Sequence, residues 1–329
     1  MAVRTRIADP APGGPTLTDT VGEVVAVGEE HLTLATRRGE VRLPLADVVA
    51  ARVIPPRPSR RGAPHRAIGI EDLHLVMTQG NPGLEVGWLG EPGQGWMLRA
   101  GGGYTGRANS ALPLGDPGMP DDEAVERVVA WYRERDLVPL VQVPLPTHLD
   151  WSQDPFAAGL MDAGWRRLTP TLVMTGRSEH LASATVGPGA PTVADARVEV
   201  TREDGLTDEW LAVASPVALA RAEAARAVLS APRDQAFLIA RDPDGTAVGV
   251  ARVALDAGWA GLYGVHVVPG RRRRGIGAAL TAAAGRIALE RGVVLSYLQV
   301  EEPNTGAVAL YERAGLTTHH RYAYLRLDG

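Results

Sequence analysis

The sequence predicts a mixed α/β protein in which two α+β units follow one another behind a small all-β barrel. Three observations carry this. First, residues 265–316 run strand, turn, helix, strand, helix. Val265 and Val267 alternate with His266 and Val268 at the strand period of two, Pro269 ends the ladder because it has no N–H to give, and Gly275 and Gly277 open a helix. Second, residues 123–165 echo that order as an internal repeat. Helix 123–135 before Leu140-Val141-Gln142-Val143 parallels helix 276–291 before Tyr297-Leu298-Gln299-Val300, and Ala163-Gly164-Trp165 parallels Ala314-Gly315-Leu316. Third, residues 22–54 are short β-biased segments separated by turn-prone residues.

At 329 residues the chain is too long for one ordinary domain, and a hydrophobic fraction of 45% is that of a globular protein with real cores. No apolar run approaches the roughly 18 residues of a membrane span, and residues 1–20 carry no signal-peptide core, so a cytoplasmic location is expected. The absence of cysteine excludes disulfides, thiolate nucleophiles and Cys-ligated metal sites. All 34 basic residues are arginine, and a net charge of -4 argues against wholesale nucleic-acid binding.

In chain order, residues 1–20 are rich in Pro, Gly, Thr and Asp without periodicity and are expected as a flexible tail. Strands at 22–27, 31–36, 40–43 and 48–54 suggest an SH3-like β-barrel over 21–54, followed by a stiff Pro/Arg linker at 55–66. The second domain, 67–177, begins with a helix at 70–78 and strands at 95–100 and 104–113 around Gly101-Gly102-Gly103. A helix from Asp121 then carries Val125, Val128, Val129 and Tyr132 on one face. A strand at 137–143, a helix at 155–163 and a strand at 168–175 complete it. A Ser/Gly/Pro linker spans 178–194. In the third domain, 195–329, a strand at 197–201 precedes helices at 208–214 and 218–229. Strands at 235–241, 247–254 and 260–268 lead into the 276–291 helix, whose Ile276, Leu280, Ala283 and Ile287 share an apolar face. A strand at 293–300, a helix from Thr305 and a last strand follow.

The chemistry concentrates at Arg271-Arg272-Arg273-Arg274-Gly275-Ile276-Gly277. A helix first turn with glycines and arginines offers unpaired N–H groups, a positive dipole end and close access to the backbone, which is an anion site. This stretch matches the Arg-x-x-Gly-x-Gly pyrophosphate-loop pattern at Arg272, Gly275 and Gly277, after a hydrophobic-x-hydrophobic-x-Pro strand end at Val265, Val267 and Pro269. Downstream, Asn304, Ala307, Leu310, Tyr311, Gly315 and Leu316 match Asn-x-x-Ala-x-x-Leu-Tyr-x-x-x-Gly-hydrophobic. With these two motifs in this order, the chain resembles the GNAT acyl-CoA N-acyltransferase superfamily, and in particular bacterial tandem GNAT proteins with an SH3-like head.

The resemblance implies acetyl transfer from acetyl-CoA to the primary amine of a small molecule or peptide. The pyrophosphate falls to the backbone from Arg272 through Arg273, Arg274, Gly275, Ile276 and Gly277 to Ala278. The thioester carbonyl falls to a main-chain N–H at Val267 or Val268. Tyr311 would return a proton to the thiolate or only pack, and Asn304 would touch the pantetheine arm or cap its helix. Glu301, Glu302, His266 or a water chain are open as the base. The middle unit has Gly115-Asp116-Pro117-Gly118-Met119-Pro120 where the phosphate loop should be, and Leu160 in the place of Tyr311, so it reads as a degenerate half without a cofactor site. Its Arg107, Asn109 and Ser110 are open between lining the acceptor pocket and lying on a solvated edge strand. A non-catalytic acyl-CoA sensor is the alternative. A nucleic-acid-associated protein is disfavoured, since residues 21–54 hold no aromatic residue for base stacking. His319-His320 is not expected to bind metal, because neighbouring strand residues point to opposite faces.

Overall fold

The computed structural model describes residues 2–7, 16–21, 23–28, 30–36, 39–52, 63–184, 197–214 and 216–328, and the chain divides into two units, 1–62 and 63–329. The first contains β1 (Ala2–Arg6), β2 (Leu17–Val21), β3 (Glu23–Val27), β4 (His31–Thr36), β5 (Gly39–Pro44) and β6 (Val48–Arg52). Residues 1–20 therefore do not form the expected tail throughout: they supply two strands. Val3 and Thr5 are buried while Arg4 and Arg6 are exposed, a period of two too short to show in the sequence. Val3 packs with Leu32, Leu34 and Leu43. The strands form two antiparallel sheets, β2-β1-β6 and β3-β4-β5, a small β domain with no closed barrel among the described residues. Most of the 55–66 linker lies outside the described residues; Pro64–Arg66 form a 3-10 turn.

The second unit opens with α1 (Ile70–Gly80), β7 (Glu85–Leu89), β8 (Trp96–Ala100), β9 (Leu112–Pro113), α2 (Asp121–Arg133), β10 (Leu140–Leu145), α3 (Pro155–Asp162), β11 (Arg166–Arg167), β12 (Thr171–Arg177) and α4 (Ser178–Ala182). The strand expected over 104–113 shrinks to its last two residues. The Asn109 side chain accepts from the Gly101 and Gly103 N–H groups at 2.8 Å and donates to the Thr105 carbonyl at 2.8 Å, curling the chain into a tight loop. The 178–194 linker likewise begins as a helix, α4; residues 185–194 lie outside the described residues.

There follow β13 (Glu199–Glu203), α5 (Asp208–Ala214), α6 (Pro216–Ala220), α7 (Ala222–Ser230), β14 (Gln235–Arg241), β15 (Ala247–Asp256), β16 (Trp259–Val267), α8 (Ile276–Glu290), β17 (Leu295–Glu301), α9 (Thr305–Arg313) and β18 (Thr317–Arg326). One sheet runs β10-β18-β12-β17-β16-β15-β14-β13, with β11 also on β18. The halves exchange their last strands: β12 inserts between β17 and β18, and β18 pairs antiparallel with β10 from Leu140↔Arg326 to Leu145↔Arg321. The main core lies under α8, where Ile276, Leu280, Ala284 and Ile287 meet Ala251, Val253, Leu262 and Leu298.

Helix α4 lies so close to α8 that a Cβ on Gly285 would sit 2.2 Å from the Ala182 nitrogen. Backbone cannot retreat as a side-chain tip can. Gly285→Leu is expected to lower stability by about 3 kcal/mol, read as a shifted urea midpoint; an unmoved midpoint would show that α4 does not dock there.

A bulge in β18, where Val173 faces His320 and Met174 faces Thr318, overturns the expectation that His319 and His320 point apart. Their Nδ1 atoms are 2.9 Å apart, His320 Nε2 lies 2.8 Å from His74 Nε2, and His319 Nε2 reaches the Ile68 carbonyl at 2.9 Å. The carbonyl can only accept, so His319 Nε2 donates, His320 Nδ1 donates to His319, and His74 Nε2 donates to His320: three neutral rings in one direction. No group of three potential metal ligands occurs among the described residues. Burial is the largest influence lowering the pKa of all three, that of His320 from 6.5 to about 3. Between those values the unfolded chain binds protons that the folded chain refuses. The contribution is therefore whole above pH 6.5 and is lost as pH falls below it, at about 1.4 kcal/mol per pH unit for each proton. His320→Gln is expected to flatten the dependence of the denaturation midpoint between pH 7.5 and 5; an equal slope would detach it from this chain.

Candidate active site

Between β16 and α8 the backbone turns left-handed at Arg273 (φ 65) and Gly275 (φ 80). Gly275 is the N-cap of α8 and no side chain caps that helix, leaving its first-turn N–H groups without a side-chain acceptor. Ile276 and Ala278 are buried, so only their backbone can serve a ligand. At Gly277 a Cβ would touch only Leu310 Cδ2, at 3.8 Å. The protein's own packing does not demand glycine there, whereas a phosphate lying on the backbone would. Of the four arginines, Arg271 pairs with Asp242 at 2.5 Å and Arg272 Nε donates to the Val267 carbonyl at 3.1 Å; Arg273 and Arg274 are exposed beside the turn. Donors, positive charge and absent bulk fit a pyrophosphate.

Strands β16 and β17 pair in parallel from Trp259↔Leu295 to Leu262↔Leu298 and then part. Gly264, at φ 58, stands where the register of β16 on β15 shifts. Val268 is corrected as a carbonyl-polarising donor, because its N–H already bonds the Val248 carbonyl at 3.0 Å. Strand alternation then turns the Val267 N–H away from β15, into the gap between β16 and β17. Side chains divide across that gap. Leu262, Leu298 and Val300 join the core under α8, and Tyr263, Tyr297, Gln299 and Glu301 take the opposite face.

That opposite face holds two cavities. The smaller, about 110 Å³, is lined by Tyr104, Thr105, Arg107, Arg252, Tyr263 and Gln299, with other residues. The larger, about 510 Å³, shares Thr105 and Arg107 and adds Glu301, Thr171 and Tyr324 among its walls. Arg107 Nε and the Tyr322 hydroxyl both donate to Gln299 Oε1 at 2.9 Å. Tyr263 and Tyr297 join their hydroxyls at 2.5 Å. Of the three middle-half residues expected here, only Arg107 lines either of these two cavities. Asn109 holds its own loop, and Ser110 Oγ accepts from Arg99 at 2.7 Å.

Tyr311, on α9, is buried at 6% exposure in the core beneath α8, with no hydrogen-bond partner for its hydroxyl among the described residues. Burial holds the phenol well above its ordinary pKa. Glu301 ends β17 in the wall of the larger cavity, while Glu302 lines neither and spends its N–H on the Pro170 carbonyl at 2.9 Å. Asn304 caps α9, its Oδ1 accepting from Ala307 N at 3.3 Å. His266 is half-buried and lines neither cavity; burial lowers its pKa, with a smaller contribution from Arg272. Sequence reasoning missed Arg252, Tyr263, Gln299 and Tyr104. One signal was there for Arg252, a lone charge inside the apolar run Val248-Gly249-Val250-Ala251-Arg252-Val253-Ala254.

The middle half shows part of the same pattern. An isolated parallel bridge, Ala111↔Val141, stands where β16 and β17 pair in the other half. Helix α2 begins behind Pro120 with Asp121, Asp122 and Glu123 in its first turn, and Asp122 takes the Glu123 N–H at 2.9 Å. Three carboxylates repel a phosphate there.

The family model described as probable histone acetyltransferase Rv0428c C-terminal matches residues 69–325. The protein of that description from Mycobacterium tuberculosis is 29% identical over 339 residues, spanning 98% of this chain and 93% of its own. Among solved structures, a GCN5-related N-acetyltransferase from Kribbella flavida superposes with a TM-score of 0.55 at 18% identity, over 80% of this chain and 97% of the other. A tandem GNAT protein from the clavulanic acid biosynthesis pathway gives 0.51 at 16% identity, over 70% and 77%. Both are alike in fold.

Proposed function

Because the chain belongs to the Rv0428c C-terminal family of probable histone acetyltransferases, we propose that it carries an acetyl group from acetyl-CoA to a primary amine, at the gap where β16 and β17 part. The observation that carries this reading is the uncapped, glycine-lined start of α8 beside that gap, with cavities on its far face. Bound acetyl-CoA supplies the acetyl group as a thioester. The N–H groups from Arg273 to Ala278 hold its pyrophosphate, with Arg273 and Arg274 adding positive potential; Arg272 is corrected as a backbone donor, because its N–H bonds the Pro269 carbonyl at 3.3 Å. The Val267 N–H polarises the thioester carbonyl.

Proton traffic divides between the two faces. Glu301, on the cavity side, takes the proton that the attacking amine loses as the N–C bond forms. Tyr311, on the α8 side, gives a proton to the thiolate as the C–S bond breaks. A phenol raised by burial stays protonated until needed and regains its proton from solvent. Glu301 is preferred to Glu302 because only Glu301 lines a cavity.

A screen of amines with acetyl-CoA, read as release of free thiol, tests the activity; no release with any amine would overturn it. A second expectation follows from the acidic start of α2. Equilibrium dialysis should give one acetyl-CoA per chain, and two would restore a cofactor site to the middle half.

A further inference from the structure

The side chains around the smaller cavity carry an unbalanced charge. Arg252 is fully buried on β15, and among the described residues it meets no carboxylate. Its Nη1 donates to Gln235 Oε1 at 2.9 Å, and its Nη2 to the Gly80 carbonyl and Asn81 Oδ1 at 2.6 Å each, all neutral acceptors. Its Nε is buried without a partner. Arg107 comes from the middle half to the same cavity and is held by one neutral acceptor, Gln299. The described lining contains no aspartate or glutamate at all. Taking a guanidinium out of water costs several kcal/mol unless an anion answers it; Arg252 is wholly buried, and the half-buried Arg107 faces the same small space. Elsewhere the chain pairs its arginines readily, as with Arg135 and Glu85 or Arg241 and Glu209. Arg99, also buried, is likewise held by neutral acceptors, Ser110 and Gln142, but only Arg252 of the two leaves a buried nitrogen without a partner.

We propose that the acceptor brings that charge: the cavity at Arg107 and Arg252 binds the carboxylate of a small amino acid-like amine. This rests on the acetyl-transfer reading and names its acceptor class. The space, that of about four waters, takes a carboxylate and the carbon bearing the amine, whose nitrogen then lies within two bonds of the anion and near the β16/β17 gap. The rest of the molecule extends into the larger cavity, whose wall shares Thr105 and Arg107. Tyr104, Tyr263 and Gln299 add polar groups able to orient the head. A lysine-rich peptide would bring like charge to these guanidiniums.

The test titrates the full chain by calorimetry with L-amino acids, their amides and phosphoethanolamine, and follows thiol release with the same amines and a basic lysine peptide. At least one amino acid is expected to bind, with its amide weaker by thirtyfold or more. In Arg107→Gln, which retains a hydrogen-bonding side chain for Gln299, that ratio should collapse toward one as KM rises, while acetyl-CoA affinity holds. An unchanged melting temperature shows that the variant folds; Arg252 is left alone because its bonds tie α1 to β15. Amide and acid used equally well, preference for the lysine peptide, tighter binding of phosphoethanolamine, or no amine bound would each overturn the carboxylate assignment. Binding that needs Arg107 without thiol release would support the site and count against acetyl transfer instead.

Discussion

Gly277→Glu is expected to abolish calorimetrically detectable acetyl-CoA binding, a loss of at least a hundredfold or roughly 3 kcal/mol. The wild-type backbone at this position is open: a Cβ would meet nothing nearer than Leu310, at 3.8 Å. The variant should therefore fold with little change in its denaturation midpoint. The glutamate fills the space over the first turn of α8 and sets a negative charge where the helix end, Arg273 and Arg274 are arranged for an anion. Gly277→Ala separates bulk from charge and should weaken binding by about tenfold, since one methyl obstructs close approach without repelling. An affinity unmoved by the glutamate would remove the pyrophosphate from α8 altogether.

Tyr311→Phe should lower turnover by about a hundredfold while the acetyl-CoA dissociation constant stays within about twofold. The ring supplies the packing in the core beneath α8, and phenylalanine keeps it. The hydroxyl has no protein partner among the described residues, so removing it breaks no structural bond. What disappears is the proton donor. Because burial raises the phenol above its ordinary value, Tyr311 stays protonated throughout the neutral range and should add no limb to the pH profile there. Equal turnover in the two proteins would make Tyr311 a packing residue.

Much of the cofactor side was legible in the sequence because it is local. The run from Val265 to Ala278 and the run from Asn304 to Leu316 each carry their own glycines, helix spacing and strand ends within a few residues. That Val268 and Arg272 spend their N–H groups within the protein depends on strand register and turn geometry, which no short window holds. The acceptor side was illegible for the same reason on a larger scale. Arg107, Arg252, Tyr263 and Gln299 come from one loop and three strands and meet only after the sheet is built. Residues 104–113 read as a strand until Asn109 bonded its own loop. The bulge that turns His319 toward His320 is likewise set by a partner strand, β12, from the other half.

The exchanged strands bear on how the chain is made. As the polypeptide leaves the ribosome, the middle half emerges with β10 exposed along one edge, and that edge is not covered until β18 has been synthesised. At 5–20 residues per second the wait is on the order of ten seconds. For that interval an unpaired edge is open to the wrong strand, including the same strand of a neighbouring nascent chain. Pro144 gives no protection there, because its missing N–H lies on the other side of β10, where the Gln142 N–H bonds the Ala111 carbonyl. The same interlock means that a proteolytic cut between the halves should release neither: the fragments would stay clasped, each holding a strand of the other.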